Sequence, residues 1–217
     1  MKQLLLRRPL LLTALYIPVY LLWFSWLQQR RVSHIWVSAR LDDCISFCSA
    51  FVIPYLLWFL FVAGTVLSFR RWPEECLRLC VFLCVGMTIC LAIYTLFPNG
   101  QQLRPAVMPD NSLCTRLVFL VYEMDPAVNS CPSIHVYNTL GVWNAITRCP
   151  ALRGRPLVQG LAGVLSVAII LSTLFLKQHS VVDVAAAALL AVGMVRAVYG
   201  PVRLPRRAKA AQSVVSR

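Results

Sequence analysis

Six stretches of this chain are apolar over lengths that leave little choice of solvent or of backbone. They run over Pro9–Leu27, Cys44–Phe69, Leu79–Phe97, from Pro132 or Ser133 to Thr147, Leu157–Leu176 and Val181–Tyr199. A helix needs roughly 20 residues to cross the hydrocarbon region of a bilayer. No water is available there to pair with backbone N–H and C=O groups, so segments of this kind must be helices that bond their own backbone. The expected fold is therefore all-α: a polytopic membrane bundle of six transmembrane helices over residues 1–200, with a basic, Pro-containing tail over 201–217. Hydrophobic residues make up 59% of the chain and charged ones only 13%, with a mean hydropathy of +0.70, which excludes an ordinary soluble domain. Met1–Arg8 followed by Pro9–Leu27 has the layout of a signal sequence. Bulky Trp23, Phe24 and Trp26 stand where small residues should precede cleavage, so an uncleaved first helix is expected.

The connections carry the charge. Gln28–Asp43 holds Arg30, Arg31 and His34, which reads as an interfacial residue, and Arg70, Arg71 and Arg78 with Glu74 and Glu75 form a short charged loop. The longest connection, Pro98–Ser133, contains a short apolar piece, Leu113–Tyr122, which suits a helix lying at the interface. Of the 21 Lys and Arg, 15 fall on the N-terminus, the second and fourth connections and the C-terminal end, and 6 on the other three connections. The positive-inside rule then predicts cytoplasmic termini and an extracytoplasmic first, third and fifth connection. A net charge of +13 distributed this way points to membrane orientation and anionic head groups rather than nucleic acid. The nine cysteines show no CxxC pair or zinc spacing; Cys76, Cys80 and Cys84 read as packing residues on one helix face. Cys114 and Cys131 share the third connection, where a disulfide is open to them if it is extracytoplasmic.

Two places break the apolar pattern with polar groups at the head of a helix. One is Ser172 to Asp183, containing Lys177 and His179; the other is Asn129-Ser-Cys-Pro-Ser-Ile-His135. Ionisable residues at membrane depth are costly and usually functional. In a helix His179 and Asp183 are i and i+4, on one face, so the carboxylate can hold one ring nitrogen and leave the other free. The topology puts His135 and His179 on the same side. Helix starts favour anions, and with Arg104 and Lys177 nearby a phosphate is the natural guest.

At this point the chain resembles the type 2 phosphatidic acid phosphatase superfamily of integral-membrane lipid phosphatases and phosphotransferases. Its three motifs fall on Arg104-Pro105, on Pro132-Ser133-Ile134-His135, and on Ser172 through His179 to Asp183, over about 80 residues. Tyr94 with Pro98, Asp125 with Asn129, and Lys177-Gln178 before His179 look like its inositol-phosphotransferase-like branch. Phe97 and Thr173 stand where the superfamily has a lysine and an arginine, so two usual phosphate-binding cations are absent.

The resemblance implies that His179 attacks phosphorus to give a phosphohistidine, with Asp183 orienting its ring. His135 then acts as general acid and afterwards as general base. Arg104, Lys177, Ser133 and backbone N–H groups near both helix starts bind the phosphoryl oxygens, and Ser172, Asn129 and Asp125 are further candidates. No metal or other cofactor is implied. The partners expected are a lipid phosphate substrate and membrane lipids, and oligomeric state is left open. The leading function is hydrolysis of a lipid phosphomonoester or pyrophosphate by a phosphatase. The alternatives are a phosphotransferase moving a phospho-head group to an alcohol, as in inositol-phosphotransferase or sphingomyelin-synthase-like enzymes, and a degenerate non-catalytic relative.

Overall fold

The computed structural model describes residues 9–30 and 33–200. The N-terminal segment 1–8 and the tail 201–217, both counted above toward the cytoplasmic charge, lie outside the described residues, as does Arg31.

The described chain is mostly helical. In order it forms α1 (Pro9–Arg30), β1 (Ile35–Trp36), the single turn α2 (Arg40–Asp43), a 3-10 turn (Ser49–Phe51), α3 (Val52–Phe69) and α4 (Pro73–Leu96). Then come β2 (Asn99–Gly100), α5 (Leu113–Met124), α6 (Ile134–Arg148), a 3-10 turn (Pro150–Leu152), α7 (Pro156–Phe175) and α8 (Val181–Tyr199). Five of these, α1, α3, α4, α7 and α8, are long and apolar enough to cross a membrane.

Two boundaries differ from the sequence expectation. The second long helix begins at Val52 rather than near Cys44, because Cys44–Cys48 leaves the helical path and Cys48 donates its N–H to the Phe175 carbonyl (3.0 Å). The third begins at Pro73 rather than near Leu79, so the residues expected in a charged loop form its first turns. Pro73 suits the start of a helix, where its missing N–H costs nothing. Glu74 and Glu75 in the first turn complement the positive end of the helix dipole. The strands are also additional to the all-α expectation: β1 and β2 pair in parallel, Ile35 with Asn99 and Trp36 with Gly100, tying the first connection to the third.

The centre of the bundle is α6, which packs against α3, α4, α7 and α8, while α1 lies outside against α4. Phe82 and Tyr137 stack within the core, ring centroids 4.6 Å apart, and the Tyr137 hydroxyl donates to the Phe82 carbonyl (2.8 Å). Cys76, Cys80 and Cys84 are buried in the same core, as packing residues would be. The nine cysteines are free thiols, Cys114 and Cys131 included.

The α4–α6 seam is set by two glycines. A Cβ on Gly86 would lie 1.9 Å from the Tyr137 ring, and one on Gly141 would lie 2.2 Å from Phe82. Alanine in a helix is ordinarily worth about 1 kcal/mol over glycine. At Gly86 the clash outweighs that gain, and overpacking of this kind costs about 1–3 kcal/mol. Gly86→Ala is expected to lower the melting temperature of the detergent-purified protein, whereas Gly160→Ala, with nothing within 4 Å, is not.

Candidate active site

The site is assembled where three chain segments meet at one end of the bundle. The turn between α7 and α8 supplies the first. Ser180 caps α8, accepting the Val182 N–H (3.2 Å), and the Asp183 carboxylate returns to accept the Ser180 N–H (3.1 Å). This reciprocal cap fixes Asp183 where its Oδ2 also meets His179 Nδ1 at 3.1 Å. Asp183 is fully buried and His179 nearly so. With Nδ1 protonated toward the carboxylate, Nε2 is the free nitrogen of the ring.

The start of α6 supplies the second segment. Ser133 is the cap, its hydroxyl accepting the Val136 N–H (3.3 Å), and its own N–H donates to the Asp183 carbonyl (3.3 Å). The two helix starts are thereby joined directly. His135 faces His179 with ring centroids 5.9 Å apart, and packs against Tyr55 (4.7 Å) and Trp58 (4.4 Å) of α3. Trp58 Nε1 donates to the His135 carbonyl (3.1 Å), so the aromatic pair holds both ring and backbone of that residue.

The third connection supplies the rest. Asn99 accepts the N–H groups of Ser130 (3.0 Å) and Cys131 (2.8 Å) and donates to the Cys131 carbonyl (3.0 Å), tying down the approach to α6. Asn129 holds a left-handed backbone conformation, φ 57°, which asparagine tolerates better than most residues. Arg104 lies on the Tyr122 ring, 4.1 Å from its centroid, and donates to the Tyr122 and Asp125 carbonyls and to Gln178 Oε1. Burial pulls its guanidinium below the usual arginine value, opposed by the nearby Asp125 charge.

A cavity of about 390 Å3 lies between these segments. His135, His179, Gln178, Asp125, Asn129 and Ser130 form its polar wall. Its apolar wall comes from α1 (Tyr20, Leu21, Phe24) and α3 (Leu56, Trp58, Phe59), and Leu21, Leu56 and Phe59 are exposed on the outside of the bundle.

The sequence candidates thus divide. His135 and His179 come together, with Asp183 behind His179, and Asp125 and Asn129 share their cavity. Arg104 stands one side chain back, linked to the wall through Gln178. Lys177, at φ 54°, turns its ammonium away onto the Asp42 carbonyl (2.6 Å). Ser133 spends its hydroxyl on the cap, and Ser172 donates to the Ile169 carbonyl (2.6 Å) within its own helix. The expected anion-binding start of α8 is also occupied: the Ser180, Val181 and Val182 N–H groups are taken by Asp183, Asp42 and the Ser180 hydroxyl. The first-turn N–H groups of Ile134 and His135 have no carbonyl of their own helix to bond.

Sequence reasoning missed Tyr55, Trp58, Asn99 and Asp42. The two aromatics sit in an apolar run and look like packing residues, and Asn99 looks like a turn residue. Asp42 had one signal: acidic residues number only eight in the chain, and this one lies on a connection assigned to the same side as the histidines. Among the described residues no group of three His, Cys, Asp or Glu side chains is arranged to hold a metal ion. Compared with protein families, curated proteins and solved structures, the chain matches none of them. The chemistry must therefore be argued from this geometry.

Asp125 offers a direct check on it. Its carboxylate accepts from Gln28 (3.0 Å) and Tyr55 (3.5 Å), and burial raises its pKa, against the lowering effects of His179 and Arg104. A carboxyl whose pKa is raised by folding binds its proton more tightly in the native state, so stability falls as pH rises past the unfolded value of about 3.9. Asp125→Asn removes that cost. Its melting temperature in detergent is expected to exceed the parent's at pH 7, with the gap closing as the pH falls toward about 4.

Proposed function

We propose that this protein is an integral-membrane lipid phosphatase that works through a phosphohistidine and needs no metal ion. The observation that carries the reading is the facing pair of imidazoles, 5.9 Å apart by centroid, with one of them held through Nδ1 by a buried carboxylate. A nucleophile oriented by a third group and a second titratable ring across the cavity are the parts that a two-step phosphoryl transfer requires.

In the first step Nε2 of His179 attacks phosphorus, the bond from phosphorus to the leaving oxygen breaks, and His135 gives that oxygen its proton. Asp183 stabilises the positive charge that develops on the attacking ring. In the second, His135 takes a proton from water, the oxygen attacks phosphorus, and the P–N bond breaks to free His179 and phosphate. The Ile134 and His135 N–H groups are the donors placed to hold phosphoryl oxygens, joined by the second N–H of Gln178, whose amide otherwise donates to the Tyr55 hydroxyl (3.4 Å) and accepts from Arg104. The apolar flank formed by α1 and α3 accounts for a lipid substrate: its exposed side chains would face the hydrocarbon, so an acyl or isoprenyl chain can remain in the bilayer while the phosphate reaches the histidines.

The membrane placement belongs to the same reading. With α6 counted, the bundle has six spans; at 15 residues α6 is about 22 Å long, short of the ~30 Å hydrocarbon thickness, and is sheltered by the four helices around it. The amphipathic α5 lies at the interface. Charge distribution puts the termini in the cytoplasm and the site on the extracytoplasmic face.

One observation favours a second reading. Among the described residues no Lys or Arg lines the cavity, and Lys177 and Arg104 are both engaged with protein groups. A phosphodiester carries one negative charge where a phosphomonoester carries up to two, so such a wall suits transfer of a phospho-head group from a diester lipid to an alcohol.

The purified protein is expected to release phosphate from a panel of lipid phosphomonoesters and pyrophosphates with chelator present. His179→Ala abolishes release, and His135→Ala lowers turnover by about 10²–10⁴-fold. Silence on the whole panel, with head-group transfer from a diester lipid once an acceptor alcohol is added, selects the second reading. Loss of activity on chelation contradicts both.

A further inference from the structure

The chemistry above leaves the buried carboxylate of Asp42 unused. Asp42, from the first connection, is 2% exposed and reaches the outer side of the α7–α8 turn, 138 residues away in sequence from Ser180. Its Oδ2 accepts the Ser180 hydroxyl (2.6 Å) and the Ala39 N–H (2.8 Å), its Oδ1 accepts the Val181 N–H (2.8 Å), and its carbonyl accepts the Lys177 ammonium (2.6 Å). These contacts bracket His179 on both sides in the chain. A buried carboxylate is tolerable only when hydrogen-bonded, and three donors converge on this one.

Capping explains only part of it: Asp42 takes the Ala39 N–H at the start of its own turn and the Val181 N–H of α8, a helix that Ser180 and Asp183 already cap. What the extra carboxylate adds is a link to a distant segment at the one turn that carries the nucleophile. That turn includes Lys177 in a left-handed conformation, which a side-chain-bearing residue keeps only when its surroundings hold it there. Gln101 grips the same turn by donating to the Lys177 carbonyl (2.8 Å), and Tyr122 does so by donating to the Leu176 carbonyl.

We propose that Asp42 is a positioning residue for His179: by clamping Lys177, Ser180 and Val181 it keeps the imidazole aimed across the cavity at His135. The role attributed to His179 rests on the phosphoryl-transfer reading above; the clamp itself does not. Gln178 shares this turn, but the Ile134 and His135 N–H donors stay in place on α6, so loosening the turn should spoil the attack geometry more than it weakens substrate binding. A misplacement of about 1 Å can cost about 10²-fold in rate.

The test compares Asp42→Asn, Ser180→Ala and the double variant of the full chain in detergent, with His179→Ala as reference. Asp42→Asn is nearly isosteric and keeps an acceptor for Val181, and Ser180→Ala reads the same link from its other end if the first variant does not fold. On a lipid phosphate turned over by the parent, each single variant is expected to lower kcat by about 10–100-fold with KM changed less than about two-fold. The double variant should lose less than the product of the two single losses, because both break the link between Asp42 and Ser180, although Ser180→Ala also removes the acceptor for the Val182 N–H. In parallel, 15N-histidine spectra should show the His179 Nδ1 signal, assigned by its absence from His179→Ala, moving toward that of a free imidazole in Asp42→Asn while His135 stays in place. Unchanged kcat and an unchanged His179 signal in folded Asp42→Asn overturn the proposal, as do losses that multiply in the double variant. A parent that turns over no lipid, but whose His179 signal still responds to Asp42→Asn, sinks the enzymatic reading and upholds the clamp.

Discussion

The hydrogen bond between His179 and Asp183 is the interaction on which the rest of this site depends. It exists because the first turn of α8 solves a general problem of helix starts, the unpaired N–H groups, with side chains of its own. The carboxylate that closes the cap also reaches the ring one turn back. Structural need and the proposed chemistry therefore share one residue. In an apolar surrounding that economy has a consequence: each polar atom already satisfied by the protein is unavailable to a ligand. The start of α8, which would otherwise attract an anion, is closed by Asp183, Asp42 and Ser180, and the free donors move to the neighbouring start of α6.

The second consequence concerns how the two histidines meet. They sit 44 positions apart in the chain, separated by two helices, α6 leading away from His135 and α7 leading back to the turn that carries His179. What sets them face to face is the central place of α6, packed closely on α4 through Gly86 and Gly141, together with the direct bond from Ser133 to the Asp183 carbonyl. His135 is then held from the far side by Tyr55 and Trp58 of α3. Rigid helices supply the precision here; the connections supply the polar wall. The first and third connections are themselves joined by the β1–β2 pair, so the loops over the site form one body rather than two independent flaps.

Much of this was legible in the sequence, and the reason is physical. Long apolar runs in lipid admit only helices, so the five long ones could be read from their lengths; their boundaries moved where Cys44–Cys48 leaves the helical path before α3 and where Glu74 and Glu75 serve as helix starters instead of loop. His135, His179 and Asp183 stood out because ionisable groups at the head of apolar segments demand an explanation. Local spacing was enough for the His179–Asp183 pair, an i,i+4 relation. It was not enough for Lys177 or Ser172, whose side chains bond backbone carbonyls, nor for Arg104, which meets the cavity wall through Gln178 and the Asp125 carbonyl. Asp42, Asn99, Tyr55 and Trp58 act through contacts between segments distant in the chain, and apart from the scarcity of acidic residues in the case of Asp42 nothing in the sequence marks them.

The account stands most directly on the identity of the nucleophile. The decisive measurement is rapid quenching of the protein during turnover of a phosphorus-labelled lipid, under alkaline conditions that preserve phosphohistidine, followed by mapping of the label by mass spectrometry. A phosphohistidine mechanism predicts an acid-labile, alkali-stable phosphoryl group on His179, absent from His179→Ala. Sustained turnover with no label on His179, or with label on a different residue, would contradict it.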